Sequence, residues 1–95
     1  MAAYVIADVK VKNQETYDTY RKQVLATVEK YGGRFAVRGG AVEPLEGGWK
    51  PERIVVLEFP DAKAAKAWYG SKEYSPLIRL RQSASEGRII LVEGA

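Results

Sequence analysis

One feature limits the possible folds of this chain more than any other. It is the order in which strand-like and helix-like hydrophobic periodicities follow each other along the sequence. Apolar and charged residues alternate over residues 3–11, which is the period of a β-strand with one apolar face. Apolar residues then recur every three or four positions, which is the period of an amphipathic helix, at Tyr17, Tyr20, Val24, Val28 and Tyr31. The rest of the chain repeats this change from strand to helix.

The second part of the chain contains shorter elements of the same two kinds. Alternation predicts a strand after the first helix, and a nearly continuous apolar run predicts a central strand after it. Two short helical segments and a last strand follow. The predicted ranges are 34–38 with a continuation over 41–45, 53–59 for the central strand, 62–69 and 77 to about 84 for the helices, and 88–93 for the last strand.

Residues with strong backbone preferences mark the ends of these elements. Asn13 and Asp61 precede helical segments and are predicted N-caps. Gly32–Gly33 ends the first helix and Gly87 ends the last helical segment. Gly39–Gly40 predicts a bend or bulge in the second strand.

The resulting order is β-α-β-β-α-β, two β-α-β halves in one domain over residues 1–95. This is the ferredoxin-like pattern of the α+β class. Short connections favour a four-stranded antiparallel sheet in the order 4-1-3-2, with the helices on one face.

The sheet face away from the helices is predicted to be too apolar for water. Its members by alternation are Tyr4, Ile6, Asp8, Ala36, Arg38, Ile54, Val56, Glu58, Ile90 and Val92. A second copy of the same sheet is the simplest cover, which predicts a homodimer formed through this face. The alternative is a half-solvated sheet face, which antiparallel sheets tolerate.

Composition removes several kinds of chemistry. The chain has no cysteine and no histidine, which excludes thiolate nucleophiles, zinc–thiolate sites, Ser-His-Asp triads and histidine-ligated haem. Fifteen basic and twelve acidic side chains give a formal charge of +3 with mixed signs and no polybasic run. We therefore expect no metal, no cofactor and no nucleic-acid partner.

The hydropathy pattern predicts a cytoplasmic protein without a membrane partner. No window approaches the roughly 18 apolar residues of a membrane span. The N-terminal residues lead into a strand-like run interrupted by Asp8, which is not the pattern of a signal peptide.

Charged residues on the second and third strands are the first candidates for a site. Arg34 and Arg38 share the strand face away from Phe35 and are the best anion-binding groups, with a planar guanidinium fork. Glu58 and Asp8, on neighbouring strands, are candidate catalytic bases if desolvated. Arg38 is also predicted to pair with Glu58, so that Asp8, Glu58 and Arg38 form one cluster. The alternative to a binding or catalytic role for this cluster is a structural ion pair.

Aromatic residues around the end of the second helix are further candidates for ligand contacts. Trp68, Tyr69 and Tyr74 surround Gly70–Ser71, and rings with polar tips suit a flat or cyclic ligand. Arg81 could complete an anion site. Core packing of Trp68 and Tyr74, and a solvated helix face for Arg81, are the alternatives.

Many short motifs resemble the domain of unknown function 1330 family. They are Lys30-Tyr31-Gly32-Gly33-Arg34-Phe35, Arg38-Gly39-Gly40, Glu43, Leu45-Glu46-Gly47, Pro51-Glu52-Arg53, Glu58-Phe59-Pro60, Ala67-Trp68-Tyr69, Ser71, Glu73-Tyr74 and Leu80-Arg81. The resemblance runs from Tyr4 to Gly94. It implies a dimeric α+β barrel, in which ferredoxin-like sheets pair. It implies no reaction, although proteins of that fold include monooxygenases, haem-degrading enzymes and muconolactone isomerases.

Three functions follow as hypotheses. The first is a homodimer that binds a small organic anion, either as a binding protein or as a cofactor-independent enzyme, with Arg38 orienting the anion and Glu58 or Asp8 moving a proton. The second is a structural or regulatory dimer without catalysis. The third, RNA binding, is disfavoured because position 58 is acidic and Phe59 has helix-facing parity, where that fold needs exposed stacking rings.

Overall fold

A computed structural model describes residues 1–95 as four strands and three helices. The strands form one antiparallel sheet in the order β2-β3-β1-β4, which confirms the predicted order 4-1-3-2 and the ferredoxin-like α+β class. In chain order the elements are β1 (Ala3–Val11), α1 (Gln14–Lys30), β2 (Arg34–Arg38), β3 (Arg53–Phe59), α2 (Ala62–Tyr69), α3 (Ser75–Ala84) and β4 (Ser85–Glu93).

Side-chain caps begin the first two helices where the sequence predicts them. The Asn13 carboxamide oxygen accepts a hydrogen bond from the Thr16 amide at 3.0 Å. The Asp61 carboxylate accepts one from the Ala64 amide at 2.7 Å. Each cap satisfies an amide that has no partner inside its own helix, typically worth about 1 kcal/mol.

The core lies between the helices and one face of the sheet. Val5, Ala7 and Val9 of β1 and Leu57 and Phe59 of β3 are buried there, as alternation predicts. The helices contribute the rest of this cluster: Tyr17, Tyr20, Val24 and Val28 from α1, Ala65 and Trp68 from α2, and Leu77 and Ala84 from α3, with Tyr74 before it. No helix is both long enough and apolar enough to cross a membrane.

Two predicted strand boundaries are wrong. No strand forms over 41–45, because the antiparallel partner of β2 begins only at Arg53 and Arg38 already lies opposite Val55. Strand β4 begins at Ser85 and not at residue 88, since β1 pairs with it along its whole length. Gly87 therefore lies inside β4 and does not end a helix; a Cβ there would collide with the carbonyl oxygen of Asp8.

A β-bulge at Ala36 changes the side on which the end of β2 presents its residues. Phe35 lies opposite Leu57, but the register then shifts, so that Val37 lies opposite Val56 and Arg38 opposite Val55. Val55 has the parity of the helix-facing residues. The bulge therefore turns Arg38 toward the helices, whereas strict alternation predicts the opposite face.

Candidate functional site

A cavity lies between the helix layer and the sheet. Sixteen residues line it, twelve of them hydrophobic and the other four arginines. Its interior volume is about 30 Å³. That is room for about two water molecules. We call it the arginine cavity; its arginines are Arg21, Arg38, Arg53 and Arg81.

Each arginine reaches the cavity for an identifiable local reason. Arg21 follows Tyr17 by one helical turn on the inward stripe of α1, and Arg81 follows the buried Leu77 by one turn of α3. Arg53 has the inward parity of β3, and the bulge in β2 supplies Arg38. Two guanidinium groups therefore come from the helices and two from the sheet.

The guanidinium groups of the cavity have few hydrogen-bond acceptors and few carboxylate partners within the protein. Arg81 is only 7% exposed, and its Nε has no hydrogen-bond partner. The Nε atoms of Arg21 and Arg53 are buried without partners as well. The ion pair between Arg21 and Asp18, at 3.4 Å, is the one pair with a carboxylate that these arginines make. Buried donors without acceptors are costly, so this cavity favours an anionic occupant.

Contacts with aromatic rings and with the backbone position the two arginines of the sheet. The Arg38 guanidinium lies 4.2 Å from the centre of the Phe35 ring and donates to the Arg21 carbonyl oxygen at 2.7 Å. The Arg53 guanidinium lies 5.4 Å from the centre of the Tyr17 ring. Gly39, at φ +71°, packs against Arg53 so closely that a Cβ would collide with its guanidinium.

Aromatic side chains form the wall beside Arg81. The hydroxyls of Tyr20 and Tyr74 are hydrogen-bonded to each other at 2.9 Å. The centres of the Tyr74 and Trp68 rings are 4.0 Å apart. Trp68 Nε1 donates to the Thr27 hydroxyl at 3.0 Å. Burial, with a smaller contribution from Tyr74, raises the pKa of Tyr20 above its ordinary value, and burial also raises the pKa of Tyr74. Both phenols are therefore neutral hydrogen-bonding groups at physiological pH.

The predicted pairing of Arg38 with Glu58 is wrong. Glu58 accepts a hydrogen bond from Arg34 Nη2 at 2.5 Å, because Arg34 is its cross-strand neighbour on the face away from the helices. Asp8 pairs with Arg88 on β4 at 3.3 Å, so the predicted cluster of Asp8, Glu58 and Arg38 does not form. Both carboxylates lie on the opposite side of the sheet from the arginine cavity.

The structure separates the other predicted site residues into two groups. Trp68, Tyr74 and Arg81 line the arginine cavity together with Arg38, and Arg81 is buried, so its predicted alternative of a solvated helix face is wrong. Tyr69 is 43% exposed and lies outside this cavity, in a groove beside Ile89, Ile90 and Leu91 of β4.

Sequence reasoning missed Arg21, Arg53, Tyr17 and Tyr20 as residues of the site. Helical spacing places Tyr17 and Tyr20 on the inward stripe of α1 but does not indicate that they line a cavity. Arg21 lies on the same stripe, and Arg53 has the parity of Val55, so both positions carried a readable signal. An arginine at an inward position is itself the signal, since charged side chains are rarely placed there without a partner.

We expect Arg34 and Glu58, and not Arg38 and Glu58, to be energetically coupled. The Arg34–Glu58 pair is partly exposed, so its coupling free energy is expected to be about 0.2–1 kcal/mol. Denaturant unfolding of Arg34→Met, Glu58→Gln and the double variant measures it. The matched cycle with Arg38→Met should be additive; coupling in that cycle would contradict the observed register.

The arginine cavity has the electrostatics of an anion site. The structure contains no group of three or more His, Cys, Asp or Glu residues that could hold a metal ion. Guanidinium forks bind carboxylates and phosphates, and phenol and indole groups add neutral donors. The fold and the cavity together define a ferredoxin-like α+β protein with an arginine-lined cavity between its two layers.

The chain belongs to the family described as Domain of unknown function (DUF1330), whose model matches residues 2–95. No curated protein is detectably similar to it. The membership agrees with the motifs that resemble this family and assigns no reaction.

Solved structures share the fold at low sequence identity. A protein of unknown function from Rhodopseudomonas palustris, RPA0582, is 18% identical, with a TM-score of 0.80 over 99% of this chain and 82% of that one. SnoaB, a cofactor-independent oxygenase from Streptomyces nogalater, is 13% identical, with a TM-score of 0.63 over 99% and 92%. An antibiotic biosynthesis monooxygenase is 13% identical, with a TM-score of 0.59 over 100% and 99%. At these identities the similarity establishes the fold alone.

Proposed function

We propose that this protein is a homodimer that binds a small organic anion in the arginine cavity. The observation that carries the proposal is the set of four guanidinium groups around an apolar cavity that no carboxylate lines. Arg38 and Arg81 hold the anion, and Trp68 and Tyr74 form an aromatic wall beside it. Arg21 and Arg53 belong to the same site.

The other predicted site residues lie elsewhere, and their roles stay predictions. Arg34, Asp8 and Glu58 lie across the sheet from this cavity, and Tyr69 lies in the groove beside β4. The two carboxylates could act as bases only on a ligand bound at the face away from the helices.

The open face of the sheet supports the dimer. We define it as the residues that point away from the helices: Tyr4, Ile6, Asp8, Arg34, Val37, Ile54, Val56, Glu58, Arg88, Ile90 and Val92. Ile90, Val92 and Val37 are 56%, 41% and 39% exposed, which is unusual for such large apolar groups. Two ion pairs, Arg34–Glu58 and Arg88–Asp8, neutralise the charges of this face, so two copies can meet without repulsion.

Replacing Arg38 with methionine is expected to weaken anion binding about ten- to hundredfold, because one charged contact is worth roughly 1.5–3 kcal/mol. A thermal-shift screen of carboxylates and phenols identifies ligands, and titration calorimetry measures their affinity. Arg79→Met is the matched control, since it removes the same group from an exposed position of α3 outside both the cavity and the open face. Equal affinity of the Arg38→Met and wild-type proteins would show that the anchor is wrong.

Two versions of this function differ in whether the bound anion reacts. Similarity to the fold of SnoaB leaves room for a cofactor-independent enzyme. No carboxylate lines the cavity, and burial raises the pKa of Tyr20 and Tyr74, so these two phenols are poor bases; this favours a non-catalytic binding dimer. Mass spectrometry of a ligand recovered after incubation in air distinguishes them: an unchanged ligand supports binding alone, and a product supports catalysis.

A further inference from the structure

The charge balance of the arginine cavity sets a requirement on its ligand. Of its four guanidinium groups, only Arg21 has a carboxylate partner, Asp18, in the protein. Arg38, Arg53 and Arg81 form no ion pair. A ligand with a single negative charge at the buried Arg81 would leave Arg53 and Arg38 without a counter-ion, and Arg53 is half-buried beside apolar walls, so a second negative charge on the ligand is favoured.

The deep end of the cavity has donors that no protein atom accepts. Arg81 is the most buried of the four arginines, and its Nε has no partner. The hydroxyls of Tyr20 and Tyr74 together carry two protons, and the bond between them uses one. Arg81 also donates toward the Tyr74 oxygen, which uses an acceptor position and neither phenol proton, so the second proton is available to a ligand oxygen.

The opposite end of the cavity is its mouth. Arg21 and Arg38 line both the cavity and an open cleft on the outer surface, together with Asp18, Lys22 and Leu25. The Arg38 side chain is exposed and is held there by its bond to the Arg21 carbonyl oxygen and its contact with the Phe35 ring. Arg38 therefore lies between the cavity and the solvent at this end.

We infer that the ligand is a small dianion with one ionised group at each end. One group is held by Arg81 and the phenol pair in the deep end, and the other by Arg38 and Arg21 at the mouth. Apolar side chains such as Val24, Leu57 and Ile89 line the space between them. The inference rests on the proposed function, because it specifies what the same cavity binds.

Two matched sets of probes of different size test this arrangement by titration calorimetry. Fumarate carries its carboxylates at opposite ends, maleate carries both on one side, and crotonate has a methyl group in place of one carboxylate. Terephthalate, phthalate and benzoate repeat the comparison on a benzene ring. In at least one set, we expect the dianion with carboxylates at opposite ends to bind about ten- to hundredfold more tightly than the other two compounds of that set. The difference corresponds to one additional charged contact.

Variants of α3 locate the second contact. Arg81→Met should reduce the affinity advantage of the dianion to near one, whereas Arg79→Met, the exposed arginine of the same helix, should leave it unchanged. Arg81→Lys keeps the buried charge but removes the planar fork, so it should fold even if the methionine variant does not. We expect it to lose most of the advantage too.

The outcomes separate this inference from the function on which it rests. If crotonate or benzoate binds with the expected Arg38 dependence but the opposite-ended dianions gain nothing, the dianion inference is overturned and the anion-binding proposal stands. Equal affinity of the same-side isomers overturns the two-ended arrangement. An advantage that survives in both Arg81 variants overturns the assignment of the deep end. If no probe of either set binds, both proposals are overturned.

Discussion

Replacing Val56 with aspartate is expected to convert the proposed dimer into a monomer. Val56 lies on the central strand β3, in the middle of the open face, with Ile6 and Val37 as its cross-strand neighbours. A carboxylate there would be buried without a partner, at a cost of several kcal/mol, and two-fold symmetry places it in the interface twice. We therefore expect dissociation to be at least about a thousandfold more favourable.

Light scattering at micromolar concentration measures this effect. Leu45→Asp is the matched control, since Leu45 is 89% exposed and lies in the segment between β2 and β3, outside the strands that form the open face. It should leave the dimer intact. A wild-type protein that is a monomer at this concentration would contradict the proposed self-association, and a Val56→Asp protein that stays dimeric would place the interface elsewhere.

The second large effect is expected from Trp68→Ala. Trp68 is 1% exposed, and its indole N–H donates to the Thr27 hydroxyl. The centre of its ring lies 4.0 Å from the centre of the Tyr74 ring and 5.5 Å from the centre of the Phe59 ring. Truncation leaves a large cavity and removes the hydrogen bond to the Thr27 hydroxyl, which keeps its own bond to the Val24 carbonyl oxygen. We expect a loss of about 3–5 kcal/mol of folding free energy, mainly from the cavity.

Urea denaturation tests this prediction against the adjacent residue. Tyr69→Ala removes another aromatic ring, but one that is 43% exposed, and we expect a loss of about 1 kcal/mol or less. Similar losses for the two variants would mean that the packing around α2 is not as described. Because Trp68 also lines the arginine cavity, anion affinity should fall in its variant even under conditions where it remains folded.

Most of the fold could be predicted because the central strands obey strict alternation. Val5, Ala7 and Val9 of β1 and Leu57 and Phe59 of β3 are buried under the helices, as their parity indicates. The order of the strands follows from the short connections, and the caps at Asn13 and Asp61 fix two helix starts. These signals are local, so the sequence carries them without knowledge of distant contacts.

The candidate site was less predictable because it depends on contacts between distant segments. Arg81, Trp68 and Tyr74 are predicted ligand contacts and they do line the arginine cavity, whereas the predicted partner of Arg38 is wrong, since a strand's register cannot be read from its own residues. Arg21 and Arg53 occupy inward positions that simple alternation and helical spacing do indicate. A charged residue at such a position is usually solvated, and only the folded structure shows that the Nε atoms of both arginines are buried beside a cavity.

The bulge at Ala36 makes the number of residues in β2 matter as much as their chemistry. If β2 kept its present length but lost the bulge, Val37 would lie opposite Val55 and face the helices, and Arg38 would lie opposite Ile54 on the surface where two copies are proposed to meet. Anion capture and self-association would then be lost together, although every side chain is unaltered. Deleting Ala36 has a different outcome, because Phe35, Val37 and Arg38 would still lie opposite Leu57, Val56 and Val55 and would keep their present faces. Homologous chains that keep the same ligand should therefore either keep both the residue and the bulge or lack both.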